Sequence, residues 1–189
     1  MKKAKLVSFL AAILCLISGA QASAIYNYTG NPFTDQTGEF GGQFDKLTIS
    51  LTFDQPLGPL GSYWLGQQDD PLLDWYLSNQ VFDLGPDLGA TLLSSAIQTD
   101  ASGRIASWYI IAQLIGDGGT LFQDISVFAP PLVVDGAGIY YPGLDSTASI
   151  FDSPGTWSQA GQVPEPGYSP LVLAALAAGF TWRRKRARA

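Results

Sequence analysis

The stretch Phe44–Phe53, with the sequence FDKLTISLTF, decides the fold class. From Lys46 onward polar and apolar residues alternate strictly, and the apolar set consists of Leu47, Ile49, Leu51 and Phe53. Successive side chains of a β-strand point to opposite faces of the sheet, whereas a helix would need apolar residues three and four positions apart. The segment therefore predicts a strand with one buried and one solvated face.

A second strand is predicted over Arg104–Leu114. Trp108 and Ile110 belong to one side of this segment, and Tyr109 and Ile111 belong to the other. Apolar residues on both sides are typical of a strand that lies inside a sheet rather than at its edge. The pattern therefore predicts a central strand, with Trp108 as a core residue.

The segment that leads into this strand, Thr99–Trp108, predicts a β-hairpin. Asp100 and Gly103 form an Asp-x-x-Gly turn, in which the carboxylate accepts hydrogen bonds from the backbone and the glycine supplies a positive φ.

The segment Asp70–Leu77 permits either a short helix, with Asp70 as its cap and Pro71 in its first turn, or a strand over Leu73–Ser78, which we favour. Six further segments carry weaker strand patterns: Ile25–Thr29, Thr91–Thr99, Thr120–Phe128, Gly138–Tyr141, Thr147–Phe151 and Thr156–Gln159. Turn signals separate them, and they include Gly41-Gly42, Gly58-Pro59, Gly85-Pro86, Asp117-Gly118-Gly119, Pro130-Pro131 and Asp135-Gly136. Short strands at this spacing predict an all-β body over residues 25–152, an antiparallel sandwich or jelly-roll-like fold of about seven to ten strands.

Charge and composition exclude several classes of protein. The chain has 189 residues, the length of about one domain. Between residues 25 and 162 only Lys46 and Arg104 are basic, against fifteen acidic residues, which is a formal charge of −13. Such a body lacks the basic surface that nucleic acids require. The chain has no histidine and its one cysteine is Cys15, so triads built on histidine and zinc sites of the usual kind are excluded.

Residues 1–24 have the order of a secretory signal peptide. Three lysines near the N-terminus precede the apolar run Leu6–Ile17, and two overlapping A-x-A sites end at Ala22 and at Ala24. This order predicts an N-terminal signal helix, export, and cleavage by signal peptidase after one of these two alanines.

The C-terminal residues predict a membrane anchor. The run Pro170–Trp182 is apolar and uncharged, and a basic cluster of Arg183, Arg184, Lys185 and Arg186 follows it at once. We expect a transmembrane helix over about residues 168–182, with the cations on the cytoplasmic side. Residues 153–162, which are rich in Pro, Gly and Ser, are predicted to be a linker between the body and this anchor.

The motif Val163-Pro164-Glu165-Pro166 stands directly before the apolar run. The order of this motif, the helix and the basic tail over residues 163–189 resembles the PEP-CTERM sorting signal. The resemblance implies a Gram-negative bacterium that makes extracellular polysaccharide, and processing by an exosortase-like membrane protease. It also implies anchoring in the inner membrane before processing, and delivery to the outer surface or extracellular matrix afterwards.

Three functions remain open for the body, and none of them calls for a cofactor, a metal site or a recognisable set of catalytic residues. The first is a non-enzymatic surface or matrix protein associated with exopolysaccharide or biofilm. The second is a carbohydrate-binding module, which a flat exposed row of Trp and Tyr side chains would favour, with Trp64 as a candidate contact. The third is an Asp-based enzyme acting on polysaccharide, which a cleft lined by two close carboxylates would favour.

Overall fold

The computed structural model describes residues 23–67, 70–141, 143 and 145–163, and in these residues the regular structure is almost entirely β. The strands are β1 (Ser23–Thr29), β2 (Asp35–Thr37), β3 (Thr48–Phe53), β4 (Ser62–Leu65), β5 (Leu72–Ser78), β6 (Asp83–Leu84), β7 (Thr91–Leu92), β8 (Ser95–Thr99), β9 (Ile105–Ile115), β10 (Leu121–Ala129), β11 (Leu132–Tyr140), β12 (Ser146–Phe151) and β13 (Thr156–Val163). Three short 3₁₀ turns accompany them, at Gly41–Gln43, Pro86–Leu88 and Asp117–Gly119.

These strands form two sheets with antiparallel pairing throughout. The small sheet has the order β13-β1-β3-β5-β6, and the large sheet has the order β2-β12-β11-β10-β9-β8-β4, with β7 also paired to β9. Their inner faces share one hydrophobic core, and rings from opposite sheets meet in it, as Tyr28 of β1 and Trp108 of β9 do at 5.3 Å between centroids. The expected all-β class and sandwich-like arrangement of the body are therefore confirmed.

The two strongest strand predictions are confirmed in detail. Leu47, Ile49, Leu51 and Phe53 are all buried, while the alternating residues of β3 are half-exposed. Strand β9 lies between β8 and β10 inside the large sheet, with Trp108 buried.

The predicted hairpin turn between β8 and β9 is also present. The Asp100 carboxylate accepts hydrogen bonds from the backbone N–H groups of Ser102 and Arg104, at 2.7 and 3.0 Å. Gly103 has a φ of +80°, which a residue with a side chain rarely adopts.

The predicted linker over residues 153–162 is wrong. Residues 156–163 form β13, which pairs with β1, and the residues just before it are held in place. The Asn31 side-chain amide donates hydrogen bonds to the Ser153 hydroxyl and backbone carbonyl. Gly155 lies so close to β1 that a Cβ on it would be 2.1 Å from the carbonyl oxygen of Thr29. This glycine marks a close contact between backbones rather than a flexible tether.

Two other expectations are wrong. Asp135-Gly136 was predicted to be a turn, but it lies in the middle of β11, where Asp135 is buried and hydrogen-bonded. The described residues also form thirteen strands rather than seven to ten. The extra strands include β2, β6 and β7, which are two or three residues long and therefore too short to leave an alternating pattern.

The predicted anchor over about 168–182 lies outside the described residues, and so does the predicted signal peptide over 1–24, except for Ser23 and Ala24, which belong to β1. Within the described part of the chain no helix is long and apolar enough to cross a membrane.

The first and last strands of the body end side by side. Ser23, the first residue of β1, pairs with Val163, the last residue of β13. The next residue of β1, Ala24, pairs with Phe53 and has no exposed surface. The two predicted cleavage sites therefore differ in whether cleavage leaves the first strand intact.

We predict that the mature chain begins at Ser23. Cleavage after Ala22 leaves β1 whole, whereas cleavage after Ala24 would remove a buried side chain and part of the ladder. Substituting Ala20→Phe removes the small residue that the first site needs but leaves the second site intact. We expect N-terminal sequencing to give Ser23 for the natural chain and Ile25 for the variant. The variant should be less stable by about 1–2 kcal/mol, because ladder hydrogen bonds are lost. A natural chain that begins at Ile25 would contradict this prediction.

Candidate functional site

A buried hydrogen-bond network joins the two sheets at Asp135 of β11. Its Oδ2 accepts a hydrogen bond from the Tyr28 hydroxyl of β1, at 2.7 Å, and its Oδ1 accepts one from the Ser126 hydroxyl of β10, at 2.6 Å. Trp108 Nε1 donates to the Ser126 oxygen at 2.8 Å, and the backbone N–H of Gly155 donates to the Tyr28 oxygen at 2.7 Å. Five chain segments therefore meet at one carboxylate.

The surroundings of this network alter its acid–base properties. Burial raises the pKa of Asp135, although the hydrogen bonds from Ser126 and Tyr28 act in the opposite direction. Burial, followed by the nearby Asp135 charge, also raises the pKa of Tyr28. Tyr28 therefore keeps its proton and remains a hydrogen-bond donor at physiological pH.

A second buried carboxylate, Asp124, lies on the same strand as Ser126. Its Oδ1 accepts a hydrogen bond from Asn79 Nδ2 at 2.7 Å, and its Oδ2 has no hydrogen-bond partner among the described residues. Burial raises the pKa of Asp124 to about 8. The Asn79 hydrogen bond lowers this pKa, and the charge of Asp83 raises it further. Asp124 is therefore largely protonated in the folded protein at neutral pH.

These two carboxylates do not line an open cleft. Asp124 is 0 % exposed and Asp135 is 3 % exposed, because both side chains point between the sheets. A surface pocket of about 240 Å³ is lined by Gln55, Pro56, Leu57, Gly58, Tyr63 and Pro71, with no carboxylate among them. Within the described ranges no three acidic or cysteine side chains come close enough together to hold a metal ion.

The buried Asp124 makes stability depend on pH. Its pKa in the folded state lies above the ordinary carboxyl value, so the folded protein keeps a proton that the unfolded chain releases between about pH 4 and pH 8. Stability should therefore fall as the pH rises through this range, by up to about 1.4 kcal/mol per pH unit from this group.

We predict that Asp124→Asn removes this contribution, because the amide keeps the acceptor for Asn79 and cannot ionise. The variant should be more stable than the natural protein at pH 8, and its stability should change less between pH 5 and pH 8 in urea-unfolding measurements. Asp87→Asn, in an exposed turn, is the matched control and should leave the slope unchanged. Asp135 is present in all three proteins, so its own titration cancels in the comparison. An unchanged slope in the Asp124 variant would refute the assignment.

The outer face of the large sheet carries a row of aromatic and aliphatic side chains that runs across six strands. Strand register places six residues in this row, in the order Trp64, Ala96, Tyr109, Val127, Val134 and Phe151. Trp64 is 59 % exposed, Tyr109 is 36 % exposed and Phe151 is 56 % exposed, whereas Val127, between Tyr109 and Phe151, is only 2 % exposed. The exposed part of the row therefore consists of three separate rings. With neighbouring strands about 4.8 Å apart, the row is about 24 Å long.

Among the strand residues that the structure describes, none on this outer face between β4 and β12 is charged. We call this surface the uncharged face. Its polar members are hydroxyl and amide side chains, namely Ser62, Thr91, Gln98, Ser107, Gln113, Gln123, Thr147 and Ser149. Among the described strand residues, an acidic side chain occurs only at the border of this face, where Asp35 of β2 pairs with Ser149. In a body with a formal charge of −13, so wide an uncharged surface is an unusual distribution of charge.

The aromatic residues that were candidates from the sequence divide between this face and the core. Trp64 is exposed on edge strand β4, so the expectation that it could serve as a contact is compatible with its position. Trp108 is buried, as predicted. Sequence reasoning did not identify Tyr109 and Phe151 as neighbours of Trp64 in one row, because the row exists only once the strand order is known.

The candidate residues for targeting lie at or beyond the ends of the body. Ala24 is in β1, and Val163 is the last residue of β13. Ala22, the motif Pro164, Glu165 and Pro166, and the basic cluster Arg183, Arg184, Lys185 and Arg186 lie outside the described residues.

Comparison with known proteins adds no further constraint. No family model, no curated protein and no solved structure matches the chain.

Proposed function

We propose that this chain is an exported, non-enzymatic surface or matrix protein whose body binds polysaccharide through the uncharged face. In this proposal the C-terminal PEP-CTERM-type signal delivers the body to the cell surface, and the body attaches it to extracellular glycan. This proposal combines two functions that the sequence left as alternatives, the surface or matrix protein and the carbohydrate-binding module.

The observation that carries the proposal is the set of three exposed aromatic rings, Trp64, Tyr109 and Phe151, aligned across the uncharged face. Sugar rings present flat C–H surfaces that pack on aromatic rings, and their hydroxyls pair with amide and hydroxyl side chains such as those of Gln98 and Ser107. Trp64 and Tyr109 are two strands apart, or about 10 Å, and Phe151 is three strands beyond Tyr109. A row of this length suits an extended polymer better than a single sugar.

The charge of the body indicates which glycans suit this face. A polyanionic polysaccharide would be repelled by a molecule with fifteen acidic residues and two basic ones between residues 25 and 162. A neutral polymer is not repelled by these acidic residues, and on the uncharged face it displaces water from no charged side chain. We therefore expect neutral polysaccharides to be the ligands.

The enzyme alternative has less support than the binding function. The carboxylates that lie on adjacent strands, Asp124 and Asp135, are enclosed between the sheets and have no surface for a substrate to touch. General acid–base catalysis requires the acid or base to be within hydrogen-bond reach of the reacting group.

We predict that removing the exposed rings weakens glycan binding. Trp64→Ala and Tyr109→Ala should each reduce affinity about threefold to tenfold, as expected for the loss of one stacking contact, and the double variant should reduce it further. The measurement is co-sedimentation of the full chain with insoluble neutral glucans and with exopolysaccharide extracted from the source organism. Tyr76→Ala is the matched control, since Tyr76 is an exposed aromatic residue on the small sheet.

Both Trp64 and Tyr109 are partly exposed, so their removal should change the free energy of unfolding little. The binding proposal fails if the natural chain sediments with none of these polymers. It also fails if Tyr76→Ala weakens binding as much as Trp64→Ala does.

We predict that Glu165 directs processing. Proline fixes its own φ and disfavours helix in the residue before it, so we expect the two prolines beside Glu165 to keep the motif out of the helix that follows. Glu165→Ala should block processing in a host with the matching protease but leave the chain inserted in the membrane, because no apolar residue is lost. Glu39→Ala, which changes an exposed glutamate in the body, is the control and should be processed normally.

Deleting Arg183–Arg188 should instead weaken retention in the membrane, because the cations oppose translocation. Grafting residues 163–189 onto an unrelated exported protein should transfer the processing. Two results together would refute the sorting function. They are a grafted tail that anchors its carrier but is never cleaved, and normal processing of the Glu165→Ala variant. Residues 163–189 would then act only as a membrane anchor.

A further inference from the structure

At three of the four sheet edges in the described residues the outermost strand is very short, although β6 covers only Leu77 and Ser78 of β5 and leaves the part of β5 that contains Asp74 at the same edge. Strand β6 has two residues, β2 has three and β4 has four. Short edge strands are one of the devices by which proteins prevent other chains from pairing with their sheets. The fourth edge, β13, differs because it has eight residues, Thr156–Val163.

The pairing of β13 with β1 is interrupted by one irregularity, between Ala160 and Val163, and its regular part, Thr156–Ala160, lacks the other protective devices. Its sequence, TWSQAGQV, contains no charged residue and no proline, and β1 beside it contains none either. Among the described residues β13 pairs only with β1, so half of its backbone N–H and C=O groups face away from the sheet. Its outward-facing side chains include Thr156, Ser158 and Ala160, all of which are small.

We propose that β13 is a self-association edge, at which two copies of this chain pair to join their small sheets into one continuous sheet. This inference does not depend on the glycan-binding function, because β13 lies on the other sheet from the uncharged face. The occupant is inferred from charge. Two bodies that each carry −13 repel one another, so they can associate closely only where charge is absent. The edge formed by β13 and β1 is uncharged, and unlike the uncharged face it also presents unpaired backbone N–H and C=O groups, which the same edge of a second copy can pair.

The pairing is proposed to be antiparallel, as it is between β13 and β1 and between β1 and β3. Antiparallel pairing of two copies of the same edge relates them by a two-fold axis, which closes the assembly as a dimer.

The first test changes charge at the edge. Ser158→Lys adds a cation to β13, and lysine on an edge strand opposes pairing. Ser50→Lys is the matched control, since Ser50 faces the same side of the same sheet but lies on the interior strand β3. In light scattering of the full chain in mild detergent, we expect a dimer for the natural chain and for Ser50→Lys, and a monomer for Ser158→Lys.

The second test traps the contact directly. In a Cys15→Ala background, single cysteines are placed at Thr156, Ser158 or Ala160, and at Ser50 as the control. Residues directly opposite in an antiparallel pair have Cβ atoms about 5 Å apart, so one β13 position should form an intermolecular disulfide in intact cells and Ser50 should form none.

Three results would overturn the proposal. A monomeric natural chain overturns it, as does a dimer that Ser158→Lys leaves intact, or one that Ser50→Lys abolishes equally. Thermal unfolding monitored by circular dichroism establishes whether each variant is folded. If Ser158→Lys is not folded, Thr156→Lys replaces it, because this residue is exposed on the same strand.

Discussion

The hydrogen bond between Tyr28 and Asp135 is the contact on which the arrangement of the two sheets depends. Tyr28 is buried in the small sheet, and its hydroxyl both donates to the Asp135 carboxylate and accepts from the backbone N–H of Gly155. Through this one oxygen, β1, β11 and the residues that lead into β13 are fixed together. The ring of Tyr28 packs against Trp108 at 5.3 Å and against Trp157 at 5.2 Å, so the polar network is enclosed by aromatic surface. A buried carboxylate without these donors would destabilise the fold, and with them it sets the register of one sheet upon the other.

The large number of acidic residues is compatible with an uncharged face because many of them serve the backbone of turns. The Asp100 carboxylate binds the N–H groups of its own hairpin turn, and the Asp70 carboxylate accepts from the N–H groups of Gln67 and Leu72. Aspartate is favoured at such positions because its short side chain reaches the backbone a few residues away. Negative charge is thereby placed in turns, while the strands of the large sheet from β4 to β12 present neutral side chains to solvent, and Asp35 of β2 lies at the border. The body can remain strongly anionic and still offer a broad neutral surface.

Sequence reasoning predicted the local features of the fold and missed those that depend on strand order. The alternation in Phe44–Phe53 and the Asp-x-x-Gly turn are signals contained in a few consecutive residues, and both appear in the structure. Asp135 was assigned to a turn because Asp-Gly is a strong local turn signal, yet its hydrogen-bond partner Tyr28 is 107 positions away in sequence. A clue was present, since nine residues on each side of Pro130-Pro131 could pair as one long hairpin. The aromatic row offered no such clue, because its members come from six strands that are adjacent only in the folded sheet.

The pairing of Ser23 with Val163 also has a mechanical consequence. The two ends of the body belong to neighbouring antiparallel strands and leave from the same corner of the small sheet. A force that pulls these ends apart would act on the ladder between β1 and β13 at one extremity, so its hydrogen bonds would break one after another rather than together. Such unzipping requires much less force than sliding two strands past each other. Strand β13 would separate first, and Trp157 would leave its place beside Tyr28 and Trp108 while the rest of the sandwich remained folded.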